Sequence, residues 1–153
     1  MELLLGADKL IFTEEDLFYG EIIRCRNARV FEQRYLNVRM DFRLTVIRIL
    51  DSRRENFKLN KGYDNKVEVV NVITSPEIEM LIILNENKYR EFRKSGRKPS
   101  EFCKEKLKMK DVKSSGFVKK YFDNPEVLIA SIIKYHEISK IRKDEFTLLD
   151  LLK

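Results

Sequence analysis

The spacing of apolar residues changes along the first half of the chain, and two segments have the pattern of strands. Apolar and polar residues alternate from Phe42 onward, and an almost continuous apolar run follows up to Leu50, before Asp51. This pattern predicts a strand whose final residues are buried on both faces. The β-branched residues 66–73 predict a second strand. Residues 22–35 begin like a strand and continue with helical spacing, and we favour a helix.

The second half of the chain carries signals for helices. Thr74-Ser75-Pro76-Glu77 places a capping hydroxyl before a proline suited to a first helical turn. Apolar residues then recur every three or four positions, which predicts one helix as far as Ser95-Gly96. Further helices are predicted to begin at Pro99, at Ser114 or Ser115 and at Asn124, and a closing amphipathic helix is predicted over 146–152. The predicted fold class is therefore α/β, with a small central sheet followed by a helical C-terminal half.

The length of the chain is that of one domain. With 153 residues, of which 43% are hydrophobic, we expect a single core over residues 1–153. Within it, residues 1–73 form a mixed α/β portion and residues 74–153 a mainly helical portion. The longest apolar run, residues 80–84, is far shorter than the roughly 18 residues that a membrane span needs. We therefore expect a soluble, cytoplasmic protein without membrane association.

The composition excludes several common kinds of site. Two cysteines, Cys25 and Cys103, and one histidine, His136, are too few for a disulfide framework, a Cys/His zinc site or a Ser-His-Asp triad of the usual kind. The five glycines are isolated from one another, which excludes a glycine-rich phosphate loop. The candidate chemistry therefore rests on charged residues.

Basic residues are concentrated in one segment of the second half. The chain has a net charge of +6, and residues 88–120 hold 13 basic residues against four acidic ones. Such a cluster suits the phosphate backbone of DNA or RNA, because neutralised phosphates release counterions without base-specific geometry. A solvated lysine-rich surface is the alternative. The predicted nucleic-acid-binding residues are Arg53, Arg54, Arg90, Arg93, Lys94, Arg97, Lys98, Lys104, Lys108 and Lys110.

Two acidic residues flank predicted elements at positions suited to chemistry. Asp51 follows the first strand directly, and ligands of open α/β sheets bind at the carboxyl ends of strands. Glu79 precedes five apolar residues, so we expect it to be partly buried and to need a partner, for which Arg48 or Arg53 would serve. We predict Asp51 and Glu79 as catalytic residues and ligands of Mg²⁺, with Glu55 as a candidate third carboxylate. Capping of a loop and of a helix start is the alternative role.

The segment Ser75-Pro76-Glu77-Ile78-Glu79, with the hydrophobic run that follows it, resembles the signature of RloB-like proteins, a TOPRIM-related group associated with phage defence. The resemblance covers roughly residues 42–94 and implies a TOPRIM-like central sheet with an acidic metal-binding element after its strand. TOPRIM domains also carry a Glu-Gly and an Asp-x-Asp element. Here Asp51 is followed by Ser52 and Arg53, and no glycine lies between residues 21 and 61. Whether such a relative cleaves nucleic acid or only binds it stays open.

The sequence is compatible with three functions. The first is a TOPRIM/RloB-like protein of a phage-defence or mobile-element system that binds nucleic acid and is either a Mg²⁺-dependent nuclease or a degenerate relative of one. The second is a non-catalytic regulator or inhibitor that docks a protein partner. The third is a structural subunit, in which the closing segment packs on a second copy to form a homo-oligomer.

Overall fold

The fold is a mixed α/β structure built on a small parallel sheet. The computed structural model describes residues 1–51, 53–74, 78–139, 141–142 and 145–153. Within these ranges the sheet has three strands, β1 (Leu44–Leu50), β2 (Val67–Ile73) and β3 (Phe146–Thr147), in the order β1-β2-β3. Both pairings are parallel, with Leu44 opposite Val67 and Val72 opposite Phe146.

Seven α-helices belong to the described part of the chain: α1 (Glu2–Gly6), α2 (Ala28–Phe31), α3 (Ile78–Asn85), α4 (Tyr89–Ser95), α5 (Pro99–Glu105), α6 (Ser115–Tyr121) and α7 (Pro125–Ile138). A π-helical turn, Glu32–Leu36, continues α2, and 3-10 turns occupy Glu14–Asp16, Lys61–Tyr63 and Leu148–Leu151. In the same ranges, no helix combines the length and the apolar character needed to cross a membrane.

The sheet separates two hydrophobic clusters, because successive side chains of a strand point to opposite faces. Ile47, Val70 and Val72 contact the larger cluster, which also contains buried residues of α1, α3, α5 and α7. Leu44, Val46, Val67 and Val69 contact the smaller cluster, formed with Phe31, Leu36 and Met40. The sheet is therefore covered on both faces, with most of the helices on one side.

Most predicted element starts are confirmed, since local signals specify them. Both predicted strands are present over nearly the predicted residues. The side chain of Ser114 accepts a hydrogen bond from the backbone N–H of Phe117, and that of Asn124 accepts one from Glu126, so α6 and α7 begin as predicted. Residues 75–77, which carry the predicted start of the long helix, lie outside the described residues.

Three predictions about elements are wrong in part. The single helix predicted as far as Ser95 is broken into α3 and α4, because Asn87 adopts a left-handed conformation with φ of 56°. Residues 22–27 are neither helix nor strand, and the helix predicted there begins only at Ala28. The end of β1 is not buried on both faces, since Ile49 is 38% exposed while the neighbouring Arg48 is buried.

The closing helix predicted over residues 146–152 is also wrong. Phe146 and Thr147 form β3 instead, and a short 3-10 turn follows. The carboxylate of Asp150 accepts hydrogen bonds from the backbone N–H and the hydroxyl of Thr147, which holds this turn closed. Pairing with β2 brings the end of the chain into the same sheet as the first half.

Candidate functional site

The carboxyl ends of β1 and β2 open onto a cleft of about 620 Å³. Asp51 follows β1, Thr74 follows β2 and Glu79 lies in the first turn of α3, and all three residues line this cleft. Residues of α1 and α6 contribute further to its walls. Ligands of open α/β sheets bind in the crevice outside the carboxyl ends of the strands. The two acids predicted to act together therefore share one cleft at the expected end of the sheet.

Glu79 has an unusual environment for a carboxylate. It is completely buried (0% exposed), and neither of its carboxylate oxygens has a hydrogen-bond partner among the described residues. The Nζ atom of Lys113 lies 3.4 Å from its Oε1, and the side chain of Lys113 is 60% exposed. A buried carboxylate with so few partners is costly in free energy. The position of Glu79 therefore suggests a role other than stabilising the fold.

The predicted pairing of Glu79 with Arg48 or Arg53 is wrong. Arg48 is buried on the opposite face of the sheet, where its guanidinium donates to Asn71 and to Glu55, each at 3.1 Å. It also lies over the ring of Phe57, 4.3 Å from the ring centre. Since Arg48 holds Glu55 on that face, Glu55 cannot serve as the third carboxylate of the cleft.

Cations surround the mouth of the cleft. Arg24, Lys113 and Lys119 line it. The ammonium of Lys119 lies 2.8 Å from the carboxylate of Glu2, and the guanidinium of Arg24 lies 3.7 Å from it. Hydrogen bonding to Lys119, with a smaller contribution from Arg24, lowers the pKa of Glu2. The cleft thus combines two candidate ligands for a cation with positive groups that suit a phosphate.

The carboxylates of the cleft suit Mg²⁺ better than a cation whose ligands all come from the protein. Within the described ranges, no group of three or more His, Cys, Asp or Glu side chains is placed to hold a metal ion. Mg²⁺ usually takes one or two carboxylates and completes its shell with water and substrate phosphates. Asp51 and Glu79 could supply those carboxylates, since both line the cleft and neither oxygen of Glu79 has a hydrogen-bond partner among the described residues.

The predicted basic residues of the second half lie on α4 and α5 and in the segments next to them. We call Arg90, Arg93, Lys94, Lys98, Lys104, Lys108 and Lys110 the basic surface, and all seven are exposed. In the part of the chain that the structure describes, none of the seven takes part in an ion pair, whereas Arg97 pairs with Glu105 at 2.9 Å. Arg97 is therefore partly neutralised, and the other seven cations are available to an anionic partner.

Arg53, which was predicted to bind nucleic acid, pairs with an acidic residue of this chain. Its guanidinium makes a two-pronged contact with the carboxylate of Glu145, with Nη2 donating to Oε2 at 2.8 Å. These hydrogen bonds hold the pKa of Glu145 at about 2. A phosphate would have to displace Glu145 to bind Arg53. Arg54 is exposed and also interacts with another group.

The Arg53–Glu145 contact predicts a specific dependence of stability on pH. Because the pKa of Glu145 is lowered from 4.5 to about 2 in the folded protein, its contribution is present above pH 4.5 and is lost as the pH falls toward 2. Urea unfolding at several acidic pH values should show a shallower loss of stability in E145Q than in the unmodified protein. The matched control, D123N, changes an exposed aspartate without an ion pair among the described residues and should leave the slope unchanged. Equal slopes in all three proteins would contradict the prediction.

Cys103 is unsuited to nucleophilic chemistry. It is completely buried, and its thiol donates to the backbone carbonyl of Glu79 at 3.8 Å. Burial, with a smaller effect of nearby Glu79 and Glu86, raises its pKa to about 12. The thiol is therefore protonated near neutral pH.

The cations at the cleft are not apparent from the sequence. Lys113 and Lys119 belong to the basic segment 88–120, and Arg24 lies outside it. The path of the loop before α6, in which Lys108 and Asp111 adopt left-handed conformations, brings Lys113 to Glu79. Nothing in the local sequence signals that path, although the helix spacing of Lys119 relative to Ser115 could have placed both on one face.

Comparisons with known proteins give no match among family models, curated proteins or solved structures. The resemblance to RloB-like proteins therefore stays a prediction, as does the assignment of the sheet to the TOPRIM type. The function proposed below is based on the geometry of the cleft and of the basic surface.

Proposed function

We propose that this protein binds nucleic acid through the basic surface and presents a phosphodiester to the cleft at the ends of β1 and β2. The observation that carries this proposal is the set of seven exposed cations around α4 and α5 that no described acidic residue pairs with. Like charges concentrated in this way repel one another unless an anion is bound. A nucleic-acid backbone supplies such an anion in repeating form.

The arrangement of α4 supports contact with an extended phosphate backbone. Arg90, Arg93 and Lys94 are spaced three and four residues apart, so they share one face of the helix. The helix is held in place from its other side, where the ring of Phe92 packs edge-on against Phe102 of α5 at 5.5 Å. Lysine and arginine side chains on a rigid helix fix position on a backbone and do not by themselves read sequence. We therefore expect affinity with little sequence preference.

The cleft supplies the second part of the proposal. Asp51 and Glu79 would hold a Mg²⁺ ion, which would neutralise a phosphate that Arg24 and Lys119 bind in place of Glu2. This arrangement is the one expected of a TOPRIM- or RloB-like protein of a phage-defence or mobile-element system. A relative that has kept binding and lost cleavage would use the same basic surface. Nuclease assays with D51N and the unmodified protein in Mg²⁺ separate the two versions, because only a nuclease loses activity.

The test of binding compares two triple variants of equal charge. One changes Arg90, Arg93 and Lys94 to alanine, and the control changes Arg29, Arg34 and Lys58, which are exposed and lie outside the basic surface. Binding of labelled oligo(dT), duplex DNA and RNA is measured by fluorescence anisotropy between about 50 and 200 mM salt. The first variant should bind roughly 10 to 100 times more weakly. The slope of the logarithm of its affinity against the logarithm of salt concentration should be smaller in magnitude by about 2 to 3. The control should retain its affinity to within a few-fold.

Two results would count against the proposal. Absence of binding to every oligonucleotide at low salt would favour a protein partner as the ligand. An equal loss of affinity in both triple variants would show that net charge, and not the basic surface, determines binding.

A further inference from the structure

The outer edge of β1 is open, and its backbone polarity can be assigned residue by residue. The N–H of Leu44 donates to the carbonyl of Lys66 at 2.8 Å, and the carbonyl of Leu50 accepts from Thr74 at 2.7 Å. In a parallel pairing, a residue directs its N–H and C=O to the same side, and successive residues alternate. The even-numbered residues of β1 therefore face β2, and Thr45, Ile47 and Ile49 direct their backbone groups away from the sheet.

These outward groups face a groove of about 730 Å³. Residues 15–19 and 21–23 line it along with residues 44–47 and 49 of β1. Within the described ranges, no hydrogen bond from outside the sheet reaches the backbone of Thr45, Ile47 or Ile49. An edge strand with unpaired donors and acceptors is a template for another strand. The groove therefore offers hydrogen bonds spaced for an extended peptide.

Large apolar residues also line the groove. Five large hydrophobic residues that line it are exposed: Phe18 (40%), Tyr19 (44%), Ile22 (40%), Phe42 (48%) and Ile49 (38%). The ring of Phe18 lies 4.6 Å from that of Tyr19 and 5.3 Å from that of Phe42, so three of them form one aromatic group. Contiguous exposed apolar residues of this kind mark interaction sites.

The charges in the groove indicate the chemistry of its occupant. Glu15, Asp16 and Glu21 line it, against one basic residue, Arg43. None of the basic-surface residues lines the groove. Carboxylates at this site repel a nucleic-acid backbone and attract lysine or arginine side chains. A second copy of the chain is a poorer fit, because it would bring its own Glu15, Asp16 and Glu21 against the same carboxylates.

We infer that this groove binds an extended segment of a protein partner in which apolar residues alternate with lysine or arginine. The segment pairs with Thr45, Ile47 and Ile49 as an added strand next to β1. Its apolar side chains lie on the group formed by Phe18, Tyr19 and Phe42, and its basic side chains reach Glu15, Asp16 and Glu21. This site is separate from the basic surface, so the protein has room for a nucleic acid and a protein partner.

The test uses a fluorescent seven-residue peptide of alternating valine and lysine. Two controls are a peptide with glutamate in place of lysine and a valine-lysine peptide methylated on alternate backbone nitrogens. The methylated peptide should bind about tenfold more weakly because two or more backbone hydrogen bonds are lost. Amide hydrogen exchange should become slower on peptide binding at Thr45, Ile47 and Ile49, and should stay the same at Val46 and Arg48.

Two matched variants separate the groove from the rest of the surface. Ile22→Ala removes an exposed side chain that lines the groove, and Ile11→Ala removes one that is exposed outside it. Only I22A should weaken binding of the valine-lysine peptide. Equal binding of the methylated and unmethylated peptides, or displacement of the peptide by oligo(dT), would overturn the inference. So would slow exchange at Ile47 that depends on protein concentration without peptide, because a second copy would then occupy the edge.

Discussion

Replacing Arg48 with alanine is expected to lower the free energy of unfolding by about 3 to 5 kcal/mol, the range for removal of one partner from a buried ion pair. The side chain of Arg48 is 7% exposed and donates to Glu55 and Asn71 at 3.1 Å. Its removal leaves the Asn71 carbonyl and the Glu55 carboxylate without these donors and leaves an empty space beside Phe57. Urea denaturation of both proteins measures the change.

Two further variants identify the cause of that loss. Arg48→Met keeps an aliphatic stem beside Phe57 and removes the guanidinium with its charge and hydrogen-bond donors, so it should recover part of the stability lost in R48A. Arg53→Ala removes an arginine whose pairing with Glu145 is more exposed, with 41% of its side chain accessible. It should lower the free energy of unfolding far less than R48A does, because exposed ion pairs contribute little. If R48A and R53A lower the free energy of unfolding by the same amount, the burial of Arg48 does not explain its contribution to stability.

Replacing Glu79 with methionine is expected to raise the free energy of unfolding by about 1 to 2 kcal/mol, at the lower end of the range for substitution of buried ion pairs by hydrophobic residues. The gain arises because a carboxylate without a hydrogen bond is replaced by an apolar side chain of similar size among Met80, Leu81 and Ile82. Lys113 loses its contact with Glu79 but is exposed enough to be solvated by water. Thermal and urea unfolding measure the gain.

The same variant tests whether Glu79 is retained for function. In the unmodified protein, Mg²⁺ should raise the melting temperature, and E79M should lose this response because one of two carboxylate ligands is gone. Glu137→Met, which changes an exposed carboxylate on α7, should alter stability by no more than about 0.5 kcal/mol and keep the response to Mg²⁺. Clear destabilisation of E79M would mean that the contact with Lys113 holds the fold together. Glu79 would then be a structural residue.

The parts of the fold that were predicted correctly depend on short-range signals. The two strands have β-branched runs, and α6 and α7 have capping residues next to their first turns. The break between α3 and α4 was missed because apolar spacing continues across it, from Leu84 to Phe92. The left-handed conformation of Asn87 ends the first helix, and asparagine is a weaker signal for such an ending than glycine.

The errors at the strand ends have a long-range cause. The final residues of β1 were predicted to be buried on both faces, but Ile49 is exposed, and Arg48 is buried because Glu55 and Asn71 lie beside it in the folded chain. In the same way, the leucine-rich end of the chain has helical spacing, and pairing of Phe146 and Thr147 with β2 overrides it. The sequence next to Arg48 does not show that Glu55 and Asn71 lie beside it. The sequence next to Phe146 does not show that this residue pairs with β2.

The candidate site was predicted in outline. Asp51 and Glu79 line one cleft because parallel strands end on the same side of a sheet, and this rule needs no knowledge of the rest of the fold. The partner of Glu79 was predicted incorrectly because Lys113 comes from a loop whose course is set by packing far along the chain.

The position of β3 also bears on how the protein folds during synthesis. β2 ends at Ile73, and the strand that pairs with its far side begins only at Phe146, with α3 to α7 between them. The ribosome must therefore release all residues up to Thr147 before the sheet can be completed. Until then, the unpaired side of β2 is exposed to other nascent chains, and a chaperone that shields strand edges would protect this intermediate.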